Sequence, residues 1–127
     1  MPDEVAGGRR ILIVDDARLT RLTLRKTLER MGYEVTEAVN GQDGLEKYKE
    51  LKPDCVLMDI SMPEMDGLTA LKEIRAFDPQ ARVAMVTSLR ERAVVTEAMT
   101  AGAADFIVKP YREPRLRAAL HLLLGPS

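Results

Sequence analysis

Short unbroken apolar runs along the chain alternate with segments whose apolar residues recur every three or four positions. Ile11-Leu12-Ile13-Val14 stops at Asp15-Asp16, Cys55-Val56-Leu57-Met58 at Asp59, Val83-Ala84-Met85-Val86 at Thr87, and Phe106-Ile107-Val108 at Lys109-Pro110. Continuous runs of this kind predict interior strands, buried on both faces. Tyr33 to Ala38 alternates instead, with Tyr33 and Val35 on one face, as a half-buried or edge strand does.

The intervening segments read as helices. Thr20, Leu24, Thr27, Leu28 and Met31 mark one over 17–31, and Gly32 ends it. Asn40-Gly41 reads as a turn before a helix over 42–51 that carries Leu45 and Tyr48 and breaks at Pro53. Pro63 and Gly67 shape a loop ahead of a third helix with Leu68, Leu71 and Ile74. A fourth spans 90–101 with Val94, Val95, Ala98 and Met99, and Gly102 closes it. The last begins near Pro114 and buries Leu116, Ala119, Leu120, Leu123 and Leu124, spaced i, i+3, i+4, i+7 and i+8. The order is βαβαβαβαβα, which predicts a doubly wound α/β fold: a five-stranded parallel sheet with helices on both faces.

The length of 127 residues suits one domain over 9–124, with a flexible lead-in at 1–8 and a short tail at 125–127. Nineteen Lys and Arg stand against 20 Asp and Glu. That near-balance gives no electrostatic reason to expect nucleic acid or an anionic membrane as partner. No apolar run approaches the roughly 20 residues needed to span a bilayer. The acidic opening Met1-Pro2-Asp3-Glu4 lacks the order of a signal peptide, and a lone cysteine, Cys55, has no internal partner. A cytoplasmic monomer is the expectation.

The polar residues that end the runs carry the candidate chemistry. In an open α/β sheet, ligands bind outside the carboxyl ends of the strands. Asp15, Asp16, Asp59, Thr87 and Lys109 therefore can meet at one sheet edge. Two unit charges 4 Å apart repel by ~4 kcal/mol at an effective dielectric near 20, and a hard cation such as Mg²⁺ relieves that repulsion. Phosphoryl transfer needs mostly positioning and charge neutralisation, and an aspartate can be the nucleophile.

These stretches, together with Met58-Asp59-Ile60-Ser61-Met62-Pro63-Glu64-Met65-Asp66-Gly67, Val86-Thr87-Ser88 and Val108-Lys109-Pro110, resemble the receiver domains of two-component response regulators over about residues 9–124. The resemblance implies a flavodoxin-like fold and phosphorelay signalling. It implies Asp59 as phosphoacceptor from a histidine kinase and Asp16 as a direct Mg²⁺ ligand. Asp15 would act through a bound water or by supporting a ligand from behind, and the Ser61 carbonyl would be a further metal ligand. Lys109 would pair with the phosphorylated carboxylate, with a cis bond to Pro110. Thr87 would turn toward the phosphoryl group and Phe106 would swing into the space it leaves. A downstream protein would read the face of residues 90–122. The residues resemble most the stand-alone members that serve chemotaxis, although Phe106 stands where those often carry Tyr.

Blander readings accompany each residue. Asp15-Asp16 alone is an ordinary solvated turn, Lys109-Pro110 alone a strand end, and Phe106 alone a core residue. Cys55 reads as a small core hydrophobe and His121 as a solvated helix residue. Arg18, Arg21, Arg25, Lys26 and Arg30 read as a solvated basic face partly offset by Glu29, or as a docking surface for a kinase. Two other functions compete. One is a receiver excised from a longer transcriptional regulator; the other is an aspartyl-nucleophile phosphohydrolase. The phosphohydrolase needs a substrate pocket and a second acid near its nucleophile, where this chain has Ser61. The favoured reading is a switch that catalyses only its own phosphorylation and dephosphorylation.

Overall fold

The computed structural model of the protein describes residues 9–62 and 65–125. The lead-in at 1–8, the Pro63 position of the loop and residues 126–127 of the tail lie outside the described residues. Among the described residues the chain order is β1 (Arg10–Val14), α1 (Arg18–Arg30), β2 (Glu34–Ala38), α2 (Gly41–Leu51), β3 (Cys55–Met58), α3 (Gly67–Phe77), β4 (Val83–Thr87), α4 (Arg92–Thr100), β5 (Asp105–Val108) and α5 (Glu113–Leu124). The strands form one sheet in the order β2-β1-β3-β4-β5, and every pair is parallel.

Strand alternation divides the core in two. Leu12, Val14, Val56, Met58, Val83 and Met85 face α2, α3 and α4. Ile11, Ile13, Cys55, Leu57, Ala84, Val86 and Ile107 face α1 and α5. The helices supply matching stripes. All five residues expected on α5 are buried, while Leu122 and His121 on its other side are exposed. Burying a leucine contributes about 1.5–3 kcal/mol, so this stripe is what seats α5 on the sheet. Cys55 is fully buried in the central strand, where burial and the charge of Asp54 push its thiol up to about 12.

Three elements differ from the sequence reading. The run 106–108 predicts an interior strand, yet β5 is an edge, and Ile107 alone of its residues is fully buried. An apolar run covered by helices on both faces looks the same whether or not a strand lies beside it. Asn40-Gly41 is a helix start rather than a turn. The Asn40 side chain accepts a hydrogen bond from the Asp43 amide at 2.8 Å, and Gly41 begins α2. A Cβ at Gly41 would overlap the carbonyl oxygen of Met65, so the glycine is needed for close approach. On α4 only Ala98 is buried, Val94 packs partly against the core, and Met99 is exposed. Among the described residues no helix is long and apolar enough to cross a membrane.

Candidate functional site

Asp15, Asp59, Thr87 and Lys109 each sit at or just beyond a strand's carboxyl end, held by the sheet's own backbone bonds. The Asp15 amide donates to Ala38 O at 3.2 Å, the Asp59 amide to Val14 O at 2.9 Å, and the Lys109 amide to Thr87 O at 2.8 Å. Register does the rest. Val14 lies beside Met58, so Asp15 and Asp59 emerge as neighbours, and Thr87 lies beside Val108, one residue before Lys109.

The side chains then converge. Lys109 Nζ donates to Asp15 Oδ2 at 2.8 Å and to Asp59 Oδ2 at 3.4 Å. Burial opposes the charge on Lys109, but the hydrogen bond to Asp15 and the nearby charge of Asp59 outweigh it and raise its pKa above the ordinary lysine value. Asp59 Oδ1 accepts from the Ile60 amide at 2.7 Å, and Asp15 Oδ1 from the Ala17 amide at 2.9 Å. Asp16 stands exposed, and carboxylate oxygens of Asp15, Asp16 and Asp59 lie within 4.8 Å of one another. Against these three carboxylates Lys109 provides one opposing charge. Three hard oxygen donors with excess negative charge suit a divalent cation such as Mg²⁺, so this cluster can hold one.

Sheet parity separates the remaining pair from this cluster. Asp15, Asp59 and Lys109 continue the alternation of the α1/α5 side and line one small cavity there with Ile13, Leu24, Leu57 and Val86. Thr87 continues the other face, with Val83 and Met85, and is fully buried. Its hydroxyl oxygen accepts from the Leu89 amide at 3.3 Å. Phe106 lies beside Met85 and packs partly against the same core, so Thr87 and Phe106 share a face. Ser61 is exposed two residues beyond Asp59. The Lys109-Pro110 peptide is cis.

The solvated reading of the α1 basic face holds for some of its residues and fails for Arg21. Its side chain is 11% exposed and bonds Glu37 and the carbonyl of Asp15. The sequence signal was thin: Glu37 is one of two acidic residues on an alternating strand, 16 positions away.

Matches to known proteins agree with this geometry. Residues 11–121 match the response regulator receiver domain family. The chain belongs to that family, and is a receiver of two-component signalling. Its relatives include chemotaxis protein CheY of Thermotoga maritima, 51% identical over 90% of this chain and 96% of that protein. CheY of Bacillus subtilis is also 51% identical, over 93% of this chain and 99% of its own length. A CheY structure from Borrelia burgdorferi, solved in complex with CheX, BeF₃ and Mg²⁺, superposes with a TM-score of 0.88 at 32% identity, covering 95% of this chain and 92% of that one. The chain is a CheY-like response regulator, a phosphorelay signalling protein of the chemotaxis type; the transcriptional-regulator alternative is not favoured.

Proposed function

We propose that Asp59 accepts a phosphoryl group from a histidine kinase, with Asp15, Asp16, Asp59 and the Ser61 carbonyl holding Mg²⁺. The observation that carries this reading is Lys109 Nζ, set against carboxylates at the ends of two adjacent strands. A carboxylate oxygen of Asp59 attacks the phosphorus, the phosphorus–nitrogen bond of phosphohistidine breaks, and the departing imidazole takes a proton from solvent. Bound Mg²⁺ supplies charge neutralisation. Lys109 stabilises the phosphorylated carboxylate, and Thr87 turns its hydroxyl to donate to a phosphoryl oxygen. The chain catalyses only the gain and loss of its own phosphoryl group. Wild-type protein should gain one phosphoryl group from acetyl phosphate in intact-mass spectra, and only with a divalent cation present. Equal labelling in excess chelator would sink the metal requirement.

Metal binding should also appear as stability. At a hundredfold excess over its dissociation constant, Mg²⁺ should stabilise the fold by ~2.7 kcal/mol. Asp16→Asn relieves carboxylate repulsion, so the metal-free variant should melt higher than metal-free wild type while responding less to Mg²⁺. Superimposable wild-type melting curves at high and zero Mg²⁺ would show that the acidic cluster is no metal site.

The output follows from the shared face of Thr87 and Phe106. A hydroxyl that moves toward the phosphoryl group vacates volume in a close-packed interior, which favours an inward Phe106. A downstream protein then reads the altered face of residues 90–122, as suits a relative of a CheY that has been crystallised with CheX. Thr87→Ala should keep Asp59 phosphorylatable but cancel the NMR shifts over 90–122 that beryllofluoride with Mg²⁺ induces in wild type. Wild-type shifts confined to the loops around Asp16, Asp59 and Lys109 would exclude this route.

A further inference from the structure

Arg21 has no part in the transfer chemistry above, yet it is the arginine of α1 that the fold encloses. Its side chain is 11% exposed, against 38% for Arg25 and 63% for Arg30. The guanidinium works in two directions: Nε donates to Glu37 Oε1 at 2.9 Å and Nη1 to the backbone carbonyl of Asp15 at 2.8 Å. Glu37 is itself braced. Its second carboxylate oxygen accepts from Arg25 at 2.8 Å, its carbonyl accepts from Lys47 Nζ at 2.6 Å, and it lies on β2 beside Ile13 of β1. The hydrogen bond from Arg25, helped by Arg21 and opposed by burial, holds the Glu37 carboxyl below its usual range, so the brace is ionised at neutral pH.

The carbonyl that Arg21 grips belongs to the peptide joining Asp15 to Asp16. A peptide unit is planar, so fixing its oxygen fixes the plane from which the Cα and carboxylate of Asp16 depart. Every polar atom of Asp15 is thereby engaged: amide with Ala38, carbonyl with Arg21, Oδ1 with Ala17 and Oδ2 with Lys109. Mg²⁺ demands near-ideal ligand geometry, so a loosened peptide would cost affinity. We propose that Arg21, braced by Glu37, is a positioning residue that aims the Asp15-Asp16 turn and so sets the cluster's affinity for a divalent cation. The inference rests on the metal reading of the cluster.

Charge and position predict opposite signs, which makes the role testable. Arg21 is a cation beside a cation site; if only its charge mattered, removing it would tighten Mg²⁺ binding. Positioning requires the reverse. Titration calorimetry with Mg²⁺ on the full chain should show a dissociation constant raised about tenfold or more in Arg21→Ala, as for other groups that orient metal ligands. Arg21→Lys keeps the charge but loses the planar fork, so it too should bind more weakly. Arg25→Ala, which removes only the outer brace, should lose less affinity than Arg21→Ala. Acetyl phosphate labelling of Arg21→Ala should recover toward wild type at saturating Mg²⁺, which a lost reacting group would not allow. Metal-free melting curves establish folding, and if Arg21→Ala is unfolded, Arg21→Lys decides alone. A folded variant of either kind that binds Mg²⁺ as tightly as wild type overturns the inference. Failure of wild type itself to bind Mg²⁺ overturns the metal reading instead.

Discussion

Asp59→Asn should carry no detectable phosphoryl group after incubation with acetyl phosphate and Mg²⁺, where wild type carries one. The substitution is nearly isosteric, and the hydrogen bond from the Ile60 amide to the side-chain oxygen at 2.7 Å has a carbonyl acceptor in either case. Lys109 keeps its contact to Asp15 at 2.8 Å, so the surroundings stay ordered. What goes is the anionic oxygen, and a neutral amide is a poor nucleophile toward phosphorus. Among the described residues no neighbour replaces it, because Asp16, the third carboxylate of the cluster, is engaged by the metal in this reading. Asp15 is committed to Lys109 and Ala17, and Ser61 has no side-chain base among the described contacts. The loss should therefore be complete rather than graded. Intact-mass spectrometry reads it directly, and a fully labelled Asp59→Asn would place the acceptor elsewhere.

Gly67→Ala should be the most damaging small substitution around the site, although Gly67 performs no chemistry. It begins α3, and a Cβ there would overlap the carbonyl oxygen of Asp59 and lie 2.8 Å from the Ile60 Cα. Both are backbone atoms, which cannot step aside as a side-chain tip does. The Gly67 amide also donates to Ile60 O at 2.9 Å, tying α3 to the strand end that bears Asp59. Either α3 withdraws or the Asp59 backbone moves. Overpacking of this kind costs on the order of 3 kcal/mol, and the displaced acceptor should lose Mg²⁺ affinity as well. Urea unfolding measures the first effect and calorimetry the second. Stability within about 0.5 kcal/mol of wild type, the range of an ordinary surface change, would show that the approach relaxes easily.

Much of this architecture was legible along the chain because it is written in local periodicity. The five residues of the α5 stripe, the edge character of β2 and the end of α1 at Gly32 follow from spacing and residue type, and Gly32 indeed has a φ of 102°. So does the meeting of Asp15, Asp59 and Lys109, since each follows directly on an apolar run. Lateral relations were not legible. The run at β5 does not encode its missing neighbour, and strand order does not foretell that Lys109 sits closer to Asp15 than to Asp59. The burial of Arg21 depends on Glu37 arriving beside it on another element. The close approach at Gly41 likewise arises only when the distant loop at Met65 meets it, and that at Gly67 only when the β3–α3 connection folds back on Asp59.

The opposite facing of the two residue sets has a consequence for how such a molecule can diversify. Asp59, Lys109 and Asp15 lie toward α1 and α5, whereas Thr87 and Phe106 lie toward the opposite core. The sheet thus stands between the acceptor with its lysine and the Phe106 side chain, and Thr87, whose hydroxyl would reach the phosphoryl group, is the link between them. Substitutions around Phe106 need not touch the packing of Asp59 and Lys109, whereas a substitution at Thr87 touches both. Descendants of one ancestral chain can then inherit a common chemistry while exchanging one recipient of the message for another, by drift of a few residues that leaves Asp59, Lys109 and Thr87 in place.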